Sequence, residues 1–198
     1  KHTGLFPEQA ANWSWMMDKI LKANRPIKVL NLFAYTGGAT CAASYAGAEE
    51  VCHVDASKGM VAWAKENAEL SGLSNNKIRY IVDDCFKFVQ REIRRGNKYD
   101  AVIMDPPSYG RGPNGEIWKF EEELTKLLKL TSEVLSDEPL FLLLNSYTTG
   151  LSPTAIENML KLIIVKDKQG SVSSGEIGLP VKREDLILPC GIYGRWEK

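Results

Sequence analysis

The chain of 198 residues has few of the side chains that build metal centres or covalent staples. It has two histidines, His2 and His53, and four scattered cysteines, Cys41, Cys52, Cys85 and Cys190, with no CxxC pair. That spacing argues against a zinc site. A chain of this length can bury a core of its own, so no disulfide framework is expected. The reading is a reduced, cytoplasmic protein without metal. Long apolar runs are also missing. The longest, Leu140–Leu144, falls far short of the ~20 residues that cross a bilayer, so no membrane partner is expected. The opening residues show no signal-peptide pattern, and a start at Lys1 rather than Met reads as a fragment or trimmed chain. Charge of one sign is absent: 25 Lys and Arg balance 25 Asp and Glu. That balance argues against a protein that binds nucleic acid mainly through bulk positive charge, and leaves a local basic face open. There are no internal repeats.

What is present is an alternation of short β-branched runs with longer helical patterns, the mark of βα units and a parallel sheet. Helices are predicted over residues 7–22, 39–46 (after a loop over 33–38), 57–70, 85–95, 120–135 and 153–164. Strands are predicted over 27–32, 51–54, 78–82, 99–104 and 140–144. Residues 106–115 read as a Gly/Pro-rich loop. Two β-like stretches, 171–181 and 186–193, close the chain as an antiparallel hairpin. The expected domains are an N-terminal helical extension over residues 1–25 and one α/β domain over 26–198.

Ligands of open α/β sheets bind beyond the carboxyl ends of the strands. Each predicted strand here ends in polar or acidic residues. The first is followed by Phe33, Ala34, Tyr35, Thr36, Gly37 and Gly38, the second by Asp55, the third by Asp83 and Asp84, the fourth by Asp105, and the fifth by Asn145. A dinucleotide pyrophosphate needs a G-x-G-x-x-G turn. Here Phe33 and Tyr35 put bulk in that turn, and it contains no basic residue. The turn suits a nucleoside-like ligand without phosphate. Asp55 can accept hydrogen bonds from ribose hydroxyls, and Asp84 from an adenine amine. The pattern describes an adenosine with an uncharged or cationic 5′ extension, which S-adenosylmethionine (SAM) satisfies.

The segments TGLFPEQ, VLNLFAYTGGAT, VDAS, DDCFKF and YDAVIMDPPSY cover roughly residues 1–150. Together they resemble class I SAM-dependent methyltransferases, and specifically the bacterial ribosomal RNA large-subunit enzymes of the cytosine-5 type and their relatives. The resemblance implies a Rossmann-like, seven-stranded, mostly parallel sheet with a terminal antiparallel strand. It implies that Phe33, Tyr35, Thr36 and Gly37 hold the methionyl part of the cofactor. Asp55 with its neighbour Ala56, and Asp84 with its neighbour Cys85, match the family's acids after strands two and three. Gln9 falls in an F-x-x-Q segment that edges the cofactor cleft, where Ala10 stands in place of the family's Arg. The implied product is S-adenosylhomocysteine (SAH), and the implied partner is ribosomal RNA.

Methyl transfer is an in-line displacement that requires alignment of an electron pair with the methyl carbon. In enzymes acting on exocyclic amines, a [DNS]-P-P-[YFW] motif provides it. Asp105 and Pro106 match this motif; Ser108 takes the aromatic position, and Tyr109 follows one residue late. Carbon-5 methylation instead needs a thiolate that adds to the pyrimidine. No cysteine follows strand five, so amine or other base methylation moves ahead. Asp105, Pro106 and Tyr109 are therefore expected to face the substrate. The alternatives are a methyltransferase of protein or small molecules, a silent SAM-binding assembly factor and, opposed by the missing glycines, an NAD-type oxidoreductase.

Overall fold

The computed structural model describes residues 3–111, 115, 117–183 and 185–198. The strands of the main sheet are β1 (Lys28–Leu32), β2 (Glu50–Asp55), β3 (Ile78–Val82), β4 (Ala101–Met104), β7 (Phe141–Ser146), β8 (Ser171–Val181) and β9 (Leu186–Glu197). Between β4 and β7, β5 (Tyr109–Arg111) and β6 (Ile117–Lys119) form a separate antiparallel hairpin. The main sheet runs in the order β3-β2-β1-β4-β7-β9-β8. β1 to β4 and β7 pair in parallel, and β9 runs antiparallel to both its neighbours.

Strand side chains alternate between faces, and both faces of this sheet are covered. Val29, Val51, Ala101, Ile103, Phe141 and Leu143 face one way, against Met16 and Ile20 of α1 (Ala10–Lys22) and Ala43 and Ala46 beside and within α2 (Gly38–Tyr45). α3 (Lys58–Leu70) packs on β2 and β3 beside α2. Leu30, Leu32, Val54, Val102, Met104, Leu142 and Leu144 face the other way. They meet Phe88 and Val89 of α4 (Cys85–Arg95), Leu124, Leu127 and Leu128 of α5 (Phe120–Val134), and Ile156 and Leu160 of α6 (Pro153–Leu160). Full burial of each such side chain contributes about 1.5–3 kcal/mol. This two-sided burial explains why β4 and the first four residues of β7 read as continuous apolar runs.

The structure departs from the sequence expectations at element edges. The opening helix begins with a 3₁₀ turn, Pro7–Gln9, because Pro7 suits a first turn, and only then becomes α. It was expected as an extension over 1–25, yet it gives Met16 and Ile20 to the core. The stretch expected as loop, 106–115, holds β5 and leads into β6; residues 112–114 lie outside those described. β9 continues to Glu197, beyond the expected end at Tyr193, because it is held between β7 and β8. α6 continues through a π turn, Lys161–Val165, into a last turn, Lys166–Lys168. Strand order reverses between β1 and β4, and their carboxyl ends diverge there into a crevice.

Candidate active site

The turn after β1 holds two non-glycine residues in the left-handed region: Phe33 at φ 54° and Tyr35 at φ 50°. Each such conformation costs about 1–2 kcal/mol. Long-range hydrogen bonds offset the cost. The Phe33 N–H donates to Cys85 Sγ at 3.3 Å, the Ala34 N–H to the Val54 carbonyl at 3.1 Å, and the Tyr35 N–H to Asp55 Oδ2 at 2.9 Å. Gly37 follows at φ 85°, where an added Cβ would lie 2.9 Å from Ala64 Cβ. Gly38 lets Trp13 lie over the start of α2; a Cβ there would sit 2.7 Å from the indole. The turn is thus stitched to β2, α3 and α4. Its donors at Phe33, Ala34, Tyr35 and Gly37 are spent inside the protein, which leaves no amide cradle for a phosphate at those positions.

The second Asp55 oxygen accepts from the Ser57 N–H at 2.8 Å. Burial nevertheless raises its carboxyl above the usual range, against the lowering effect of both amides. Asp84 caps α4 by accepting from the Lys87 N–H at 2.9 Å, while the adjacent Asp83 pairs with Arg91. Cys85 is buried, and burial pushes its thiol well above the ordinary range. It is an acceptor for Phe33, not a nucleophile. Beneath the turn lies a buried polar chain. Asn31 Nδ2 donates to Thr40 Oγ1 at 2.9 Å, and that oxygen lies 2.9 Å from His53 Nδ1. Among the described residues His53 Nε2 has no hydrogen-bond partner, and burial lowers the imidazole to about 4.

The N-terminal segment closes one side of the crevice. The Gly4 N–H donates to Tyr35 Oη at 3.2 Å, and Thr36 Oγ1 donates to the Gly4 carbonyl. The Phe6 ring lies between Tyr35 and Tyr147, at 5.7 and 5.6 Å. A one-directional chain follows. Arg195 Nε donates to Asn12 Oδ1 at 3.0 Å, Asn12 Nδ2 to Gln9 Oε1 at 2.9 Å and to Asn145 Oδ1 at 2.8 Å, Gln9 Nε2 to Tyr147 Oη at 2.8 Å, and Tyr147 Oη to Glu8 Oε1 at 3.1 Å.

On the other side stands the turn after β4. Asp105 is half-buried: it opens to the crevice, while the protein around it and the charge of Glu8 push its carboxyl up to about 7. Trp118 Nε1 donates to the Pro107 carbonyl at 2.6 Å and lies 5.0 Å from the Phe33 ring. Ser108 Oγ and Thr148 Oγ1 are 2.9 Å apart at the rim.

These parts enclose two joined spaces. The inner chamber, about 50 Å³, is lined by Gln9, Asn31, Phe33, Tyr35, Thr36 and Asp105 among others. The outer cleft, about 750 Å³, is lined by Asp55, Ala56, Asp84, Cys85, Asp105, Pro106, Trp118 and Tyr147 among others. No Lys, Arg or His lines either space among the described residues. Of the residues expected at the site, two lie apart. Gly37 lines the far face of its turn and serves its backbone geometry. Tyr109 sits in β5, 54% exposed, and does not line the cleft. Pairing of β5 with β6 turns it outward, and Trp118 supplies the aromatic wall instead. Sequence reasoning missed Phe6, Glu8, Trp118 and Tyr147. Tyr147 follows β7, where the acid-tipped pattern of the other strands was the available signal. Among the described residues, no group of His, Cys, Asp or Glu could hold a metal ion.

The sheet order and the switch-point crevice, whose described lining is acidic and holds no basic side chain, define a nucleoside-binding α/β protein of the methyltransferase type. The S-adenosylmethionine-dependent methyltransferase family matches residues 1–160, and the chain belongs to that family. A crystal structure of a SAM-dependent methyltransferase from Agrobacterium tumefaciens superposes with a TM-score of 0.94 at 42% identity, over 100% of this chain and 64% of that one. The ribosomal RNA large subunit methyltransferase K/L of Shewanella frigidimarina is 34% identical over 135 residues, 68% of this chain and 18% of the relative. The ribosomal RNA large subunit methyltransferase I of Aeromonas salmonicida is 36% identical over 107 residues, 54% of this chain and 26% of the relative. The chain therefore spans about a quarter or less of these curated relatives. No described helix is long and apolar enough to cross a membrane.

Proposed function

We propose that this protein transfers a methyl group from SAM to a base of ribosomal RNA in the cytoplasm. One observation carries the reading: the crevice at the strand-order switch is lined by Asp55, Asp84 and Asp105, with no basic side chain among its described residues. That lining fits a cationic nucleoside and disfavours a phosphate. Two relatives that bear the name ribosomal RNA large subunit methyltransferase support the choice of acceptor.

The residues present fit the cofactor. The Asp55 carboxylate is fixed by the Tyr35 and Ser57 amides, and its remaining lone pairs are available to the ribose hydroxyls. Ala56 borders the same edge, and Asp84 stands where the adenine amine would lie. Phe33, Tyr35, Thr36 and Gln9 shape the inner chamber for the methionyl end. Gly37 fixes the turn, and Cys85 supports it from beneath through the Phe33 N–H. Bound there, SAM supplies an electrophilic methyl on a cationic sulfur and leaves as SAH.

Asp105 and the Pro106 backbone face the acceptor. The Pro107 carbonyl is occupied by Trp118, so the Asp105 carboxylate is the principal acceptor for a base N–H. Tyr147 stands after β7, where carbon-5 chemistry would need a thiol, which supports nitrogen as the atom methylated. Tyr109 faces solvent and is left a role on incoming RNA rather than at the reacting atoms. Asp55→Ala should weaken SAM binding by about 1–3 kcal/mol in calorimetry, the scale of a lost charged acceptor. Unchanged affinity would remove Asp55 from the site. Mass spectrometry of nucleosides after incubation of the protein with SAM and unmodified ribosomal RNA tests the transfer; no new methylated base would refute the RNA assignment.

A further inference from the structure

The inner chamber and the outer cleft share four lining residues: Phe6, Phe33, Tyr35 and Asp105. A ligand with its nucleoside in the cleft and its amino-acid end in the chamber has its middle at this junction. For SAM the middle is the sulfonium, and for SAH it is a neutral thioether. Asp105 is the one charged side chain of the four. Behind it, Glu8 is buried at the start of the N-terminal turns and accepts a hydrogen bond from Tyr147 Oη, which also borders the cleft. Glu8 itself lines neither space. It is fixed at the end of the donor chain from Arg195 through Asn12, Gln9 and Tyr147.

We propose that Glu8 is a positioning residue for charge: acting through Asp105 and Tyr147, it makes the junction prefer the cationic cofactor over its neutral product. The inference rests on the SAM-binding role of this crevice. Its physics is that the charge of Glu8, held in the protein beyond the cleft, disfavours ionisation of Asp105, and a cation entering the junction offsets that effect. In the free protein the Asp105 carboxyl is raised to about 7, by burial first and by Glu8 second. Among the described residues, the groups that line the same spaces add no positive charge. Tyr147 faces it from the end of β7, Tyr35 from the first turn, and Asp55 and Asp84 line the same cleft. The rings of Phe6 and Tyr35 favour a cation at the same point. Once the methyl has passed to the base nitrogen, the charge that held Asp105 ionised is gone, Asp105 takes up the proton that this nitrogen loses, and the junction releases the product. Binding thus favours what is about to react over what has reacted.

Calorimetry with SAM and with SAH, from pH 5.5 to 7.5, tests this without measuring turnover. In the wild-type protein SAM binding should weaken by about tenfold per pH unit below 7, because its cation requires an ionised Asp105, while SAH binding changes little. In Glu8→Gln, which keeps an oxygen for Tyr147 but removes the charge, SAM binding at pH 7.5 should weaken by about fivefold to tenfold. SAH binding should hold, and the acid limb of the SAM profile should move to lower pH. Glu8→Asp should restore both. SAH affinity also reports on folding of the variants. If the variants fail to fold, the wild-type profiles decide: parallel SAM and SAH profiles overturn the proposal. So does an unchanged ratio of the two affinities in a folded Glu8→Gln. Wild-type protein that binds neither ligand would instead refute the cofactor reading beneath it.

Discussion

The two sides of the crevice are built differently. Around the turn after β1, the groups that face the ligand are fixed by backbone: the Tyr35 and Ser57 amides grip Asp55, the Val54 carbonyl takes the Ala34 N–H, and Asp84 caps the helix it starts. Around the turn after β4, they are fixed by side chains from distant parts of the chain. Trp118 reaches the Pro107 carbonyl, Thr148 reaches Ser108, and Gln9 and Glu8 hold Tyr147. Backbone anchoring does not depend on which side chains the turn carries, so it persists through most sequence change and suits a ligand that never varies. Side-chain anchoring can be rewritten by substitution and suits an acceptor that differs between enzymes on one frame.

The sharpest way to break the comparison is on the backbone-anchored side. Gly37→Val places a β-branched residue at φ 85° with its Cβ against Ala64. The expected loss is about 3 kcal/mol in urea unfolding, from strain and overpacking together. SAM binding should fall with it, because the turn and the fold are one unit. A stable variant with intact binding would show that the turn is softer than its hydrogen bonds indicate.

A second test addresses the buried chain beneath that turn. His53 has no partner at Nε2 among the described residues, and its folded-state value of about 4 lies below the ordinary 6.5. Above pH 6.5 the imidazole is neutral in both folded and unfolded chains. As pH falls toward 4, the unfolded chain takes up a proton that the interior refuses, so stability drops by up to about 3 kcal/mol from this group. His53→Gln should flatten the stability profile between pH 6.5 and 4, whatever it does to stability at pH 7. An equally steep profile in the variant would assign acid sensitivity elsewhere.

The same contrast explains what could be read in advance. The turn after β1, Asp55 and Asp84 were legible because local sequence dictates them: a strand ends, a bulky turn without basic residues follows, and an acid closes the next strand. The parallel core was legible because burial on both faces leaves continuous apolar runs. The acceptor side was not legible to the same degree. Glu8 and Tyr147 lie 139 positions apart in the chain, and no local pattern links them. Tyr109 was assigned to the cleft from its distance to Pro107 along the chain, but β-pairing with Lys119 sets its direction. Trp118 was missed because Gly and Pro around it signal a loop, although the alternation of Ile117, Trp118 and Lys119 carries a short strand.

The smallest expected effect separates the two sides most cleanly. Trp118→Phe keeps an aromatic ring against Phe33 but removes the indole N–H from the Pro107 carbonyl. The loss is one neutral hydrogen bond, about 1 kcal/mol, and the freed carbonyl can turn toward the crevice. Among the described residues the cofactor side shares no hydrogen bond with Trp118, so SAM affinity should stay within experimental error. On the proposed assignment of Asp105 and Pro106 to the acceptor, that bond steadies the turn that carries them, so kcat/KM for the proposed RNA acceptor should fall severalfold, through kcat more than KM. A variant that loses SAM affinity in proportion would mean that the two sides are coupled through the contact of Phe33 with Trp118, and that backbone anchoring does not insulate the cofactor from the acceptor.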